Sequence, residues 1–451
     1  MGGGAVAARA GRRQGRTMKR LAYDEPGFAE AVCELDRHGE LPGGVVAAVR
    51  DVIEQVRRDG DRALLALTAR FDRVELTRER LELTPGEVAA GCRGVARDVQ
   101  RAVRATLTHV RAFARAGKRR SWSRRVRPGV RLGEKYDPIE RVGVYIPGGT
   151  APLASTALMT IPFARVAGVR DVIVCTPPGP GGRIAPELLY AIRAAGATRL
   201  FRVGGAQAVA AMALGTETVP AVHKLVGPGN SYVTAAKQLL VGRVSIDLLA
   251  GPSELLVIAD GTARPGWVAA DLLAQAEHGS GDEQLVLLTT SRRLRDRVEQ
   301  EIDSQLPRLA RGEYIRRVLS GRAWSVLVGS VDQAVELANR FAPEHIQIQA
   351  RDARRLAGRL RNAGAIYIGE LSPIPLGDFT AGPSHVLPTG GAGKSFSGLT
   401  VDQFQRKTSL IEYTAGALAR DAPVVAAFAR IEGLDAHGRA VAIRLAGETG
   451  E

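Results

Sequence analysis

The sequence predicts an α/β protein built on two parallel wound sheets, and three observations carry that prediction. From Arg141 onward, short runs rich in β-branched residues alternate with helical stretches of about a dozen residues, the pattern of strands joined by crossover helices. Such a series occurs twice, the second beginning at Glu254. Gly-rich turns fall where the runs end, as they do around the ligand of an open sheet. At 451 residues the chain is also too long for one core, so two or three domains are expected.

The elements follow in chain order. Residues 1 to 20 carry Arg9, Arg12, Arg13, Arg16, Lys19 and Arg20 and no acid. This start lacks the Ser content and amphipathic period of an organelle leader and reads as a disordered extension. Residues 23 to 115 have helical periodicity, clearest at 45–56, 63–71 and 95–113. Pro128 and Gly129 break it. The first series has strands at 141–146, 171–175, 200–203 and 222–226, with helices at 151–167, 185–195, 208–214 and 231–240. The second has strands at 254–260, 285–290, 324–329, 345–350 and 365–369, with helices at 267–278, 297–305, 331–341 and 352–361. Residues 400 to 451, rich in Ala and Arg, read as helical.

Composition removes several classes of function. No apolar run reaches the length of a membrane span, and 45% hydrophobic residues is the content of a soluble globular protein. Cys33, Cys92 and Cys175 are odd in number and form no CxxC pair, which speaks against a disulfide framework or a thiolate zinc site and for a reducing cytoplasm. The net charge of +15 is concentrated in the first twenty residues and in residues 118–131 around Trp122, and is otherwise scattered among acids. No recognition helix or stacking-aromatic pattern accompanies it, so neither nucleic acid nor membrane is expected as a partner.

Chemistry is suggested first by Trp267 to Gln284, WVAADLLAQAEHGSGDEQ. Val268, Leu272, Leu273 and Ala276 form an apolar stripe, while Gln275 and His278, three apart, share a second face. Gly279 and Gly281 end this helix. That polar face is either a pair of ligands or simply wet. Four Gly-rich turns, at 147–149, 204–207, 227–230 and 251–254, are expected beyond the carboxyl ends of strands, around a phosphate-bearing or polyhydroxylated ligand. GGAGKS at 390–395 is not a phosphate loop, because that motif needs Gly where this chain has Pro388.

Four of the seven histidines, His278, His345, His385 and His437, lie among acids and glycines. A zinc site with nitrogen and oxygen donors would draw on His278, His437, a carboxylate such as Asp378 and the amide oxygen of Gln275. Glu344 and His345 form a second group. An imidazole titrating near neutrality suits removal of a hydroxyl proton, and a neighbouring carboxylate can activate water. Adjacent strand residues point to opposite faces, so this pair must lie in the turn leading into the strand. The alternative is that both only cap it.

These residues sit in motifs that resemble the histidinol dehydrogenase family from about Tyr23 to Arg444. They are RVGVYIPGG at 141–149, VGGAQAVAA at 203–211, KLVGPGN at 224–230, AGPSE at 250–254, LAQAEHG at 273–279, APEH at 342–345, GDFTAGPSHVLPT at 377–389, FSGLTVDQF at 396–404 and EGLDAH at 432–437. The resemblance implies zinc on Gln275, His278, Asp378 and His437, and Glu344 with His345 as the acid–base pair. It further implies Ser253, His385 and Glu432 on the substrate, alongside the zinc ligands and Glu344, and Tyr145, Gln207 and Asn230 on NAD. The implied reaction takes L-histidinol through its aldehyde to L-histidine.

The family also implies a homodimer of two incomplete Rossmann-like domains with helical extensions that intertwine, His437 and Glu432 entering the partner's site. The corresponding division is 1–37 as basic start and N-terminal extension, 38–144 with 255–399 as the first domain, 145–254 as the second and 400–451 as a dimerisation segment. Phe379 stands where the family usually has Tyr, and Ser384 where Asn is common. The alternative activity, within the family, is a zinc and NAD dehydrogenase of another small alcohol such as a sulfonated diol.

Overall fold

The computed structural model describes residues 18–36, 41–148, 153–278 and 281–447. The expectations for the Arg-rich start before Met18, and for Gly149 and Gly279, lie outside them.

The first wound series closes into a five-stranded parallel sheet of β4 (Arg141–Tyr145), β5 (Asp171–Thr176), β6 (Arg199–Arg202), β7 (Lys224–Val226) and β8 (Ser245–Ile246), ordered β6-β5-β4-β7-β8. The second gives β9 (Glu254–Ala259), β10 (Gln284–Thr289), β11 (Ala323–Leu327), β12 (His345–Gln349) and β13 (Ala365–Ile368). With β1 (Lys19–Ala22) paired in parallel on its edge, this sheet runs β1-β11-β10-β9-β12-β13. Counted in chain order without β1, both sheets read 3-2-1-4-5, so one topology occurs twice. β9 and β10 are buried at every position, because helices cover both faces, and that is why they read as unbroken apolar runs rather than alternating ones.

One face of the five-stranded sheet packs Val142, Val144 and Val174 against Leu158 and Phe163 of the helix Ala154–Ala167 and Val110 of Arg97–Gly117. The other packs Ile173, Phe201 and Leu225 against Val209 and Val233, with Val49 and Ile53 from the helix Gly43–Asp59. These packed side chains are almost fully buried, and each stabilises the fold by about 1.5–3 kcal/mol relative to exposure. The packing groups the chain differently from the division expected above: helices from 43 to 117 cover the 145–254 sheet, not that of 255–399.

Three further corrections concern elements with little apolar signal. Lys19–Ala22, expected in the disordered start, is an edge strand. Residues 118–131, read only as a basic cluster, supply β2 (Trp122–Arg127), which pairs with β3 (Val130–Pro138). The expected all-helical tail opens with β14 (Gln405–Tyr413), antiparallel to β3, before the helices Ala415–Glu432 and Asp435–Ala446. Every β2 side chain is exposed, so no period-two apolar pattern marks it. In the second series, the helix expected at 352–361 covers only Ala353–Ala357, and Gly312–Arg322 is a helix not anticipated.

One segment ties the sheets together. After β13, residues 374 to 404 leave the six-stranded sheet and bury Val386, Leu399, Val401 and Phe404 in the core of the five-stranded one. The Thr106 hydroxyl donates to the Phe379 carbonyl at 2.8 Å, and the Gly251 N–H to the Thr389 hydroxyl at 2.6 Å.

Candidate active site

β9 and β12 are neighbours where the order of the six-stranded sheet reverses, with His345 opposite Leu255. Their amino ends carry Ser253-Glu254 and Glu344-His345. This corrects one expectation: the turn at 251–254 lies at the amino end of its strand, whereas the other three follow the carboxyl ends of β4, β6 and β7. The helix Pro265–Ala276 runs back from β9, which returns Gln275 and His278 to that same amino edge. Ala342 ends the helix Val331–Phe341 at φ 51, ψ 58. A non-glycine residue rarely adopts this conformation, and here it turns the chain so that Glu344 and His345 meet the sheet edge.

The pair straddles the start of β12: Glu344 ends the turn, as expected, whereas His345, expected in that turn too, is the first residue of the strand, in register with Leu255. The Glu344 carboxylate accepts the Glu254 N–H at 3.0 Å and stands 3.6 Å from His345 Nδ1. That Nδ1 is 3.0 Å from the Glu254 carbonyl oxygen. A carbonyl only accepts, so Nδ1 carries the proton and Nε2 presents a lone pair. Nε2 is buried without a protein partner. Burial also lowers the His345 pKa, against the raising influence of Asp378, and so keeps the ring neutral and basic at Nε2.

The neighbouring groups form one electrostatic cluster. Burial pushes Glu344 up to about 7; the Glu254 N–H, the His278 charge and the Ser253 hydroxyl oppose this, and Asp378 adds to it. Asp378 is itself raised by burial, with His345 and His278 acting the other way. Burial takes His385 down to about 4, and its Nδ1 donates to the Asp378 carbonyl at 3.2 Å. Tyr367, which the sequence did not single out, packs against His345 with ring centroids 5.9 Å apart and planes tilted by 51°, and is raised by burial and by the charges of Asp378 and Glu344. Ser253, Gln275, His278, Glu344, His345, Asp378 and His385 are thus brought together from four separate stretches of chain.

Gln275 carries the strongest sign of a missing ligand. Its side chain is fully buried, its Oε1 has no partner, and its Nε2 is 3.5 Å from His278 Nδ1. An orphaned buried amide oxygen costs about 1–3 kcal/mol, and beside an imidazole and a carboxylate it is placed to bind a cation. These donors suit zinc in kind. Among the described residues no three His, Cys, Asp or Glu side chains gather closely enough to hold a metal. One chain supplies His278, Asp378 and the Gln275 oxygen only. Glu432 and His437 are not brought to the cluster: both lie exposed at the turn between the two terminal helices.

The remaining candidates line the carboxyl edge of the five-stranded sheet where β4 and β7 part. The buried Tyr145 hydroxyl accepts the Gly205 N–H at 3.1 Å, and burial pushes its pKa up to about 12. Gln207 is buried on the helix Gly205–Leu214. Asn230 caps the helix Ser231–Leu240, its Oδ1 accepting from Tyr232 and Val233 N–H at 3.1 and 3.2 Å. Gly227, at φ 115, lies so close to the Tyr145 carbonyl that a Cβ would run into it. Asp247 accepts the Gly227 N–H at 2.7 Å, and buried Lys237 donates to the Gly227 carbonyl at 3.0 Å while pairing with Asp247. Sequence reading passed over this ion pair, and Glu254 within its motif, because neither residue type is unusual there.

Two wound parallel sheets, one of which carries a buried imidazole–carboxylate pair at the amino ends of two adjacent central strands, define an α/β protein equipped for acid–base chemistry. The family model described as histidinol dehydrogenase matches residues 36–445. A histidinol dehydrogenase from Xylella fastidiosa (strain Temecula1) is 46% identical over 400 residues, covering 88% of this chain and 92% of that protein. One from Synechococcus sp. is 42% identical over 422 residues, covering 92% and 97%. The crystal structure of histidinol dehydrogenase from Elizabethkingia anophelis superposes with a TM-score of 0.91 at 33% identity, over 96% of this chain and 99% of that one. The chain belongs to the histidinol dehydrogenase family.

Proposed function

We propose that the chain catalyses the zinc-dependent, NAD-linked oxidation of L-histidinol through L-histidinaldehyde to L-histidine, the final steps of histidine biosynthesis. The observation that carries the reading is the buried, unpartnered Nε2 of His345 beside Glu344. His345 takes the hydroxyl proton at Nε2 as hydride leaves the adjacent carbon. Glu344 takes a proton from the water that adds to the aldehyde; its raised pKa, about 7, suits a base working near neutrality. Ser253, His385 and Glu432 contact the substrate.

Gln275, His278 and Asp378 would hold the zinc with His437. When bound, the metal supplies a Lewis-acid anchor for the substrate's amine and imidazole nitrogens. Tyr145, Gln207 and Asn230 would hold NAD, which would supply the hydride acceptor. The 3-2-1-4-5 order, one strand short of a six-stranded dinucleotide fold, supports reading each sheet as an incomplete Rossmann-like domain. Because His437 and Glu432 stand away from their own chain's cluster, they would serve the partner's site in an intertwined homodimer. Exposed Ile411, Val424, Phe428, Ile431 and Ile443 on β14 and the terminal helices support this, since contiguous exposed apolar surface marks interfaces. The substrate is tested by product analysis: L-histidinol with NAD should yield L-histidine, whereas turnover of a sulfonated diol alone would displace the reading.

A further inference from the structure

One aromatic ring spans the gap between the proposed base and a proposed metal ligand. Tyr367 of β13 stands opposite Gln347 of β12, so it shares a sheet face with Gln347 and with His345 two residues back, and its ring lies tilted against the imidazole, centroids 5.9 Å apart. The outer end of the same side chain backs the helix Ile374–Phe379, which carries Asp378. A Cβ on Gly377 would overlap the Tyr367 hydroxyl and come within 2.6 Å of Cζ, so the helix backbone rests directly on the phenol. Ile374 fixes the start of that helix in the core that Tyr367 also packs against.

Neither neighbour is fully placed by its hydrogen bonds. His345 is held at Nδ1 by the Glu254 carbonyl, and one bond in the ring plane leaves the imidazole free to swing about it. Asp378 engages His385 through its carbonyl, not its carboxylate, so the carboxylate takes its position from the helix. We propose that Tyr367 is a positioning residue: its ring sets the tilt of the imidazole, and its outer end sets how closely the Asp378 helix approaches. One rigid side chain thereby fixes the spacing between base and metal ligand. The proposal rests on the zinc and histidinol reading given above.

The test measures zinc affinity of the full-length protein by competition with a chromophoric chelator, and kcat and KM at saturating zinc, in wild type, Tyr367→Leu, Tyr367→Phe and Gly377→Ala. Tyr367→Leu removes the ring and should weaken zinc binding about tenfold and lower kcat about a hundredfold, as a misplacement of about 1 Å does, with KM for NAD unchanged. Tyr367→Phe restores the ring and should recover most of both. Gly377→Ala pushes the helix off the phenol while His345 stays packed, so it should weaken zinc binding with a smaller loss of kcat. Should the Leu variant not fold, Tyr367→Met carries the same expectation. Folded Leu and Ala variants with wild-type zinc affinity would overturn the proposal while leaving the zinc reading intact, as would a Phe variant no better than Leu. Wild type that binds no zinc would overturn both.

Discussion

Glu254 and Glu344 clasp each other across the amino ends of β9 and β12: the Glu344 carboxylate accepts the Glu254 N–H at 3.0 Å, and the Glu254 carboxylate accepts the Glu344 N–H at 3.3 Å. The other Glu254 oxygen accepts the Gly390 N–H at 2.9 Å. One buried acid thereby fixes Glu344 and the segment that bridges the sheets.

Replacing Glu254 with Leu leaves the Glu344 and Gly390 N–H groups without this acceptor. Each buried orphan costs about 1–3 kcal/mol, so the variant should lose about 3 kcal/mol of stability in urea unfolding and most of its activity.

Stability should depend on pH through Glu344. Its folded pKa, about 7, lies above the ordinary 4.5, so between those values the folded state holds a proton that the unfolded state has released. The contribution is fully present below pH 4.5 and is lost as pH rises through 7. Metal-free wild type should therefore lose stability relative to Glu344→Gln between pH 4.5 and 7 in urea titrations. Parallel curves would assign Glu344 an ordinary pKa.

Gly227 should tolerate no side chain. Gly227→Ala places a Cβ against the Tyr145 carbonyl at a positive φ, a strain of about 2 kcal/mol or more. The thermal midpoint should fall, and KM for NAD should rise as the turn held by Lys237 and Asp247 shifts.

The proposed sharing of His437 between subunits predicts complementation. His278→Ala and His437→Ala dimers should each be inactive, yet subunits dissociated together and reassociated should recover about a quarter of wild-type activity, since half the dimers are hybrids with one intact site. No recovery would place His437 in its own chain's site.

How much of this was legible in the sequence follows burial. β9 and β10 stood out because strands covered on both faces must be apolar, β12 by its alternating Ile residues, and His345 and Glu344 because their residue types are rare together at a strand start. β2 and β14 were hidden because their ladder with β3 is held by backbone hydrogen bonds while their side chains face solvent. The packing of 43–117 on the other sheet was illegible for a different reason: an amphipathic helix states that it has a buried face, not which sheet covers it.

The central claim is tested most directly by counting NADH formed per L-histidinol at completion, with and without zinc. The account predicts two with zinc, none after chelation, restoration when zinc returns, and one for Glu344→Gln, whose second oxidation stalls at the aldehyde. One NADH from the zinc-loaded wild type, or two from the chelated protein, would contradict it.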